Sequence, residues 1–178
     1  IEFPDLPGLR PTPDRVRETL FNWLQGPVAG AHCLDLFAGS GALGLEALSR
    51  GAASCVFVDR QKPAAKYLQE TLKALGAQQA QVHTLDAHRY LKETPQRFDI
   101  VFLDPPFDDD YLTDICHLLE AGGWLAPRAY IYIEAPSEPG RGPVLPENWR
   151  LHRVGRAGAV AYHLARRGED TAHTEGEQ

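Results

Sequence analysis

The sequence predicts an α/β fold with a mainly parallel sheet. Short apolar runs alternate with helix-like stretches along most of the chain. A glycine-bearing turn, Ala38-Gly39-Ser40-Gly41, joins the first apolar run to the next helix. Acidic residues close four successive runs, at Asp35, Asp59, Asp86 and Asp104.

Pro11-Thr12-Pro13-Asp14 reads as a helix start, with Thr12 a candidate N-cap and Pro13 in the first turn. Val16, Leu20, Phe21, Trp23 and Leu24 then recur with helical period, up to Gly26-Pro27. His32 to Phe37 reads as the first buried strand and Ala42 to Arg50 as its helix. Ser54 to Asp59 is the second strand, followed by a helix from about Pro63 to Leu75. Gln81 to Leu85 is the third, with a short helix from about Ala87 to Glu93. Phe98 to Leu103 is the fourth strand, Leu112 to Glu120 a helix and Tyr130 to Glu134 the fifth strand. Trp149 to Val154 and Val160 to Ala165, separated by Gly155–Gly158, form a terminal antiparallel hairpin. That makes seven strands in a single domain over residues 1–167, with residues 1–26 as an N-terminal segment and helix. The polar tail, 168–178, is expected to be disordered.

In the glycine turn the backbone can approach a ligand closely, and the following helix offers unpaired N–H groups. A tight strand-to-helix turn needs glycine in any case. Gly39, Gly41 and Gly44 match the dinucleotide fingerprint only superficially. Asp35 would repel a pyrophosphate and suits a ligand with a charged amino group. Asp59, some twenty residues on, is placed to accept from ribose hydroxyls, and the region of Asp86-Ala87 to meet an adenine amine. Open α/β sheets bind ligands outside the carboxyl ends of their strands, where all four acids fall.

Asp104-Pro105-Pro106-Phe107 is the most informative stretch. Two prolines donate no ladder hydrogen bonds, so the strand stops and leaves Asp104 at its carboxyl end. A carboxylate, a backbone carbonyl and a ring face can together grip a planar group bearing an exocyclic amine. The simpler alternative is a strand stop followed by a buried Phe.

Phe37-Ala38-Gly39-Ser40-Gly41 followed by Asp104-Pro105-Pro106-Phe107 resembles S-adenosylmethionine-dependent methyltransferases that act on exocyclic amines. The segment Arg10-Pro11-Thr12-Pro13-Asp14-Arg15-Val16-Arg17-Glu18-Thr19-Leu20-Phe21-Asn22-Trp23-Leu24 narrows this. With Cys33 to Ala52 and Gly123-Trp124-Leu125, it resembles the RsmD type of 16S ribosomal RNA methyltransferase, from about Leu6 to Arg166. The resemblance implies a Rossmann-like class I methyltransferase fold with helices on both faces of the sheet. It implies S-adenosyl-L-methionine as cofactor and the N2 amine of one guanine in small-subunit RNA as target. An assembled or partly assembled small ribosomal subunit is then the expected partner.

On this resemblance, Asp104 and the Pro105 carbonyl, with Pro106 stiffening the turn, orient the amine, and Phe107 stacks on a flipped base. Asp35, Phe37, Ala38, Gly39, Ser40 and Gly41 surround the methionine part. Asp59 and Arg60 lie at the ribose, and Asp86 and Ala87 at the adenine. Arg10 and Thr12 are candidates for the cofactor carboxylate, which Arg17 could join. Rival readings are an N6-adenine DNA methyltransferase, a protein glutamine methyltransferase and a non-catalytic RNA-binding module of the same fold. The two enzyme rivals often carry Asn and Tyr where this chain has Asp104 and Phe107. An NAD-dependent dehydrogenase is disfavoured by Asp35.

Composition is consistent with these expectations. The 178 residues carry a formal charge of −6, which disfavours a broadly basic nucleic-acid binder but leaves room for a local patch. Arginines cluster near the start (Arg10, Arg15, Arg17) and near the end (Arg150, Arg153, Arg156, Arg166, Arg167). Either these form such a patch or they are solvated surface residues. No run approaches the roughly 18 apolar residues of a membrane span, and no secretory signal is visible. Cys33, Cys55 and Cys116 are odd in number and far apart, whereas a disulfide framework or a zinc site would need a different pattern, with His/Cys clusters at ligand spacing. A metal-free, monomeric, cytoplasmic protein is expected. The chain begins at Ile1, and the basic, glycine-containing segment of RsmD-type enzymes is expected to precede it.

Overall fold

Strands buried on both faces need apolar side chains pointing both ways, and β1 (His32–Asp35), β2 (Ser54–Asp59) and β4 (Phe98–Leu103) have them. The computed structural model describes residues 13–106 and 108–168. The other strands are β3 (Ala80–Thr84), β5 (Leu125–Pro136), β6 (Trp149–Ala157) and β7 (Val160–Arg167). All seven join one sheet in the order β3-β2-β1-β4-β5-β7-β6. The first five are parallel, and β7 runs antiparallel between β5 and β6.

The helices are α1 (Asp14–Trp23), α2 (Ala42–Ser49), α3 (Lys62–Leu75), α4 (Ala87–Tyr90) and α5 (Asp109–Ala121). One face of the sheet packs on α1, α2 and α3 through Leu20, Phe21, Ala47 and Leu68. The other packs on α4 and α5 through Tyr90, Ile115 and Leu119, with Trp124 at the centre of its aromatic cluster. The three cysteines are buried free thiols, and burial drives the Cys33 and Cys116 pKa values up to about 12.

The chain moves outward from β1 through β2 to β3, then returns to lay β4 on the other side of β1. The strand order reverses between β1 and β4. Such a switch point opens a crevice at the carboxyl ends of the two strands. Asp35, Asp59 and Asp104 all reach that edge.

Several bounds differ from the sequence expectation. β1 ends at Asp35 rather than Phe37, although the Leu36 N–H still donates to the Phe102 carbonyl. β5 is much longer than Tyr130–Glu134, because a register irregularity opposite Phe98 and Ile100 accommodates Pro127 within it. α4 stops at Tyr90, and α5 starts three residues early because Asp108 caps it by accepting from the Tyr111 N–H. Pro13 occupies the N-cap of α1 rather than its first turn. The hairpin turn tightens to Gly158-Ala159, with Gly158 at φ +60°. Gly168 donates to the Asn148 carbonyl. Among the described residues no helix is long and apolar enough to cross a membrane.

Candidate active site

One cleft gathers Asp35, Phe37, Ala38, Gly39, Ser40, Asp59, Arg60, Asp86, Ala87, Asp104, Pro105 and Pro106 at the switch point. Gly41 stands at the head of α2, next to the cleft-lining Ala42. Arg10, Thr12 and Phe107 lie outside the described residues. The guanidinium of Arg17 pairs with Asp14 at 2.7 Å, a local i,i+3 contact on α1.

The glycine turn is tightly built. Gly39 (φ +54°) and Gly41 (φ +81°) take left-handed conformations that other residues adopt only with strain. At Gly41 a Cβ would also fall 2.5 Å from a Leu68 methyl carbon. The Gly41 N–H donates to the Ala38 carbonyl at 2.7 Å, closing the turn into α2.

Asp59 braces this turn from the end of β2. Its Oδ2 accepts from the Gly39 N–H and its Oδ1 from the Gln61 N–H, both at 2.8 Å. Each carboxylate oxygen has a further lone pair, so two hydroxyls can still be accepted. Asp86 lies two residues beyond the end of β3 rather than at it, and its carboxylate caps α4. Oδ1 accepts from the His88 and Arg89 N–H groups. Asp86 and Ala87 both line the cleft.

Asp35 is buried, and its Oδ2 accepts from the Gly44 N–H at 3.1 Å. Burial pushes its carboxyl up to about 7, the Gly44 hydrogen bond opposes the rise, and the Asp59 charge adds to it. A carboxyl so placed gains from a cation beside it. The site therefore fits an ammonium-bearing ligand whose hydroxyls reach Asp59.

Asp104 follows Leu103, the last residue of β4, and is half-buried. On the neighbouring strand, Ile133 pairs with Leu103, which brings Glu134 to the level of Asp104. The buried Tyr132 hydroxyl donates to Glu134 Oε1 at 2.6 Å. Burial first, then the charges of Glu134 and Asp104, drive the Tyr132 pKa far above its ordinary value.

Sequence reasoning missed Tyr111, on the first turn of α5, which lines the cleft and packs edge-on to Phe37 and His88. Burial and the Asp86 charge push its hydroxyl up to about 12, against the opposing Arg60 charge. The acidic run Asp108-Asp109-Asp110 was the available signal, since it marks a helix start and so places Tyr111 one turn in. Leu36, Gln61 and Leu85 were missed because their side-chain chemistry carries no signal.

The family described as "Conserved hypothetical protein 95" matches residues 1–166. Ribosomal RNA small subunit methyltransferase D of Escherichia coli K12 is 50% identical over 164 residues, 92% of this chain and 82% of that protein. The protein of the same name from Haemophilus influenzae is 44% identical, over 88% and 82% of the two chains. The solved structure of the Escherichia coli protein yhhF superposes with a TM-score of 0.85 at 45% identity, covering 94% of this chain and 92% of that one. The cleft thus sits where the switch point of a class I methyltransferase fold should carry one. The chain belongs to the RsmD family of ribosomal RNA small subunit methyltransferases, which are S-adenosylmethionine-dependent enzymes.

Proposed function

We propose that this protein methylates the exocyclic N2 amine of a guanine in small-subunit (16S) ribosomal RNA, in the context of an assembled or partly assembled subunit. The observation that carries the reading is the placement of Asp104, at the end of β4 and in the same cleft as the glycine turn. An acceptor for an amine and a site for an ammonium-bearing nucleoside are thereby neighbours. The names of the curated relatives support ribosomal RNA as the substrate.

S-adenosylmethionine supplies an electrophilic methyl group, and the transfer is an in-line displacement. The chain's own task is to hold and orient. Asp35 would face the ammonium, the turn from Phe37 to Gly41 the methionine part, and Asp59 and Arg60 the ribose. Asp86, Ala87 and Tyr111 would bound the adenine. The guanine N2 lone pair is delocalised into the ring and makes a poor nucleophile. Asp104 and the Pro105 carbonyl would accept its two N–H bonds, turning the lone pair toward the methyl and stabilising charge that develops on nitrogen. Phe107 would stack on the extruded base.

The reading is tested by incubating the protein with S-adenosylmethionine and small subunits that lack this modification, then mapping the RNA by mass. One N2-methylguanosine is expected. Methyl transfer to adenine or to protein instead would overturn it. The ribose assignment has its own test, since Asp59 both braces Gly39 and faces the cleft. Asp59→Ala should weaken cofactor binding at least about tenfold by calorimetry, the scale of one or two charge-assisted hydrogen bonds. Unchanged affinity would count against it.

A further inference from the structure

A second concave site lies at the opposite end of the sheet. Arg128, Arg150, His152, Arg166 and Arg167 line a hollow where β5, β7 and β6 pair. The register brings them together, because Arg166 pairs with Tyr130 on one side and with Arg150 on the other. The Arg166 guanidinium lies 5.5 Å from the centre of the Tyr130 ring, and the His152 ring meets Tyr130 edge-on at 5.9 Å. Arg167 is neutralised by Glu120 at 2.7 Å. Among the described residues, no carboxylate forms an ion pair with Arg150, Arg153 or Arg166. Burial and the Arg153 and Arg166 charges hold His152 below its ordinary pKa, as expected where positive potential is unrelieved. In a chain of net charge −6, such a concentration of guanidinium groups is a segregated charge.

We propose that this hollow binds phosphodiester groups of the RNA substrate, as a docking site separate from the methyl-transfer cleft. Guanidinium forks match phosphate oxygens in pairs, and the His152 ring among them suits a nucleic acid better than an acidic protein surface. By strand rise and spacing, Arg150 stands roughly 20 Å from Asp104, so the two sites engage different nucleotides of one RNA. The site deepens the RNA reading above, on which its choice of ligand rests.

The test uses the full chain, and equilibrium binding to small-subunit RNA is measured apart from methylation. The double variant Arg150→Glu, Arg166→Glu should bind RNA at least tenfold more weakly and raise KM for RNA. The slope of log affinity against log salt should become shallower by about 1.4 to 1.8, as two phosphate contacts are lost. Calorimetry with S-adenosylmethionine checks that the variant is folded. Lys73→Glu, Lys92→Glu carries the same change in net charge on the other half of the sheet and should shift RNA affinity less than threefold. Equal losses in both variants, or no loss in the first, would overturn the proposal. So would saturation of the hollow by inorganic phosphate without displacement of RNA. If RNA binds as expected but no guanine is methylated, the docking site stands and the functional reading falls.

Discussion

Asp104→Ala is expected to lower methyl transfer to ribosomal RNA by at least about 10²- to 10³-fold, the usual cost of removing one preorganised group that meets transition-state charge. Cofactor affinity should change little, because the contacts assigned to the cofactor come from β1, the glycine turn, the end of β2, the start of α4 and Tyr111 of α5, not from Asp104. The cost is large because the task is geometric: the amine has to present its lone pair along the line of displacement. Asp104→Asn separates two explanations. It keeps a carbonyl acceptor but carries no charge, so substantial residual activity would assign Asp104 to orientation. Activity as low as in the alanine variant would require the negative charge itself. Single-turnover rates with saturating RNA and cofactor make the comparison. Near-normal transfer by Asp104→Ala would remove this carboxylate from the mechanism altogether.

Most of the architecture was legible in the sequence because buried parallel strands are short apolar runs with little ambiguity. β2 and β4 have the bounds their apolar runs predict, to the residue. The misread ends have separate physical causes. Pro127 hides the start of β5, residues 125–129, since a proline argues against a strand unless an irregularity takes it up. Asp108 hides the start of α5, because its capping role and the turn chemistry of the preceding prolines look alike in sequence. The hairpin is legible in the sequence, but Gly155 looks like a turn residue and lengthens the expected turn. It is instead a strand residue kept small by the Tyr162 ring, which a Cβ would approach to 2.3 Å.

For the site, strand-end acids are readable and their hydrogen bonds are not. Asp35, Asp59, Asp86 and Asp104 were all located from spacing, and the structure brings all four to one cleft. It also gives three of them scaffold duties, Asp35 holding the Gly44 N–H, Asp59 bracing Gly39 and Asp86 capping α4. Those duties depend on which backbone N–H groups the fold carries past each carboxylate. Tyr111 reaches the cleft from α5, a different layer, and the cleft's apolar walls likewise come from several elements. Such convergence is a property of the tertiary fold rather than of any one segment.

Asp35→Asn is expected to move apo stability and cofactor affinity in opposite directions. The folded carboxyl is raised to about 7, whereas an unfolded aspartate titrates near 4. Between those values the folded apo protein holds a proton that the unfolded chain has released. Stability is therefore lost as pH rises from about 4 to about 7, by roughly 2–4 kcal/mol. Asparagine keeps an oxygen for the Gly44 N–H and cannot ionise, so the variant lacks this loss. The melting temperature of Asp35→Asn relative to wild type should climb by roughly 5–15 °C between pH 4 and pH 8. Taking the difference between two pH values cancels any constant effect of the new amide. The variant should bind S-adenosylmethionine at least about tenfold more weakly at pH 8, having lost a charge-assisted contact. In the wild type an ammonium beside Asp35 favours the ionised form, so binding at pH 6 should release a proton. Calorimetry in buffers of different ionisation enthalpy reads that proton directly, and Asp35→Asn should release none. Equal proton release from both proteins would show that the ammonium is held elsewhere. Parallel pH profiles of stability would show that Asp35 is ionised throughout. A carboxyl that weakens the empty fold and is relieved when its partner arrives is what a buried charge built for a cationic ligand should be.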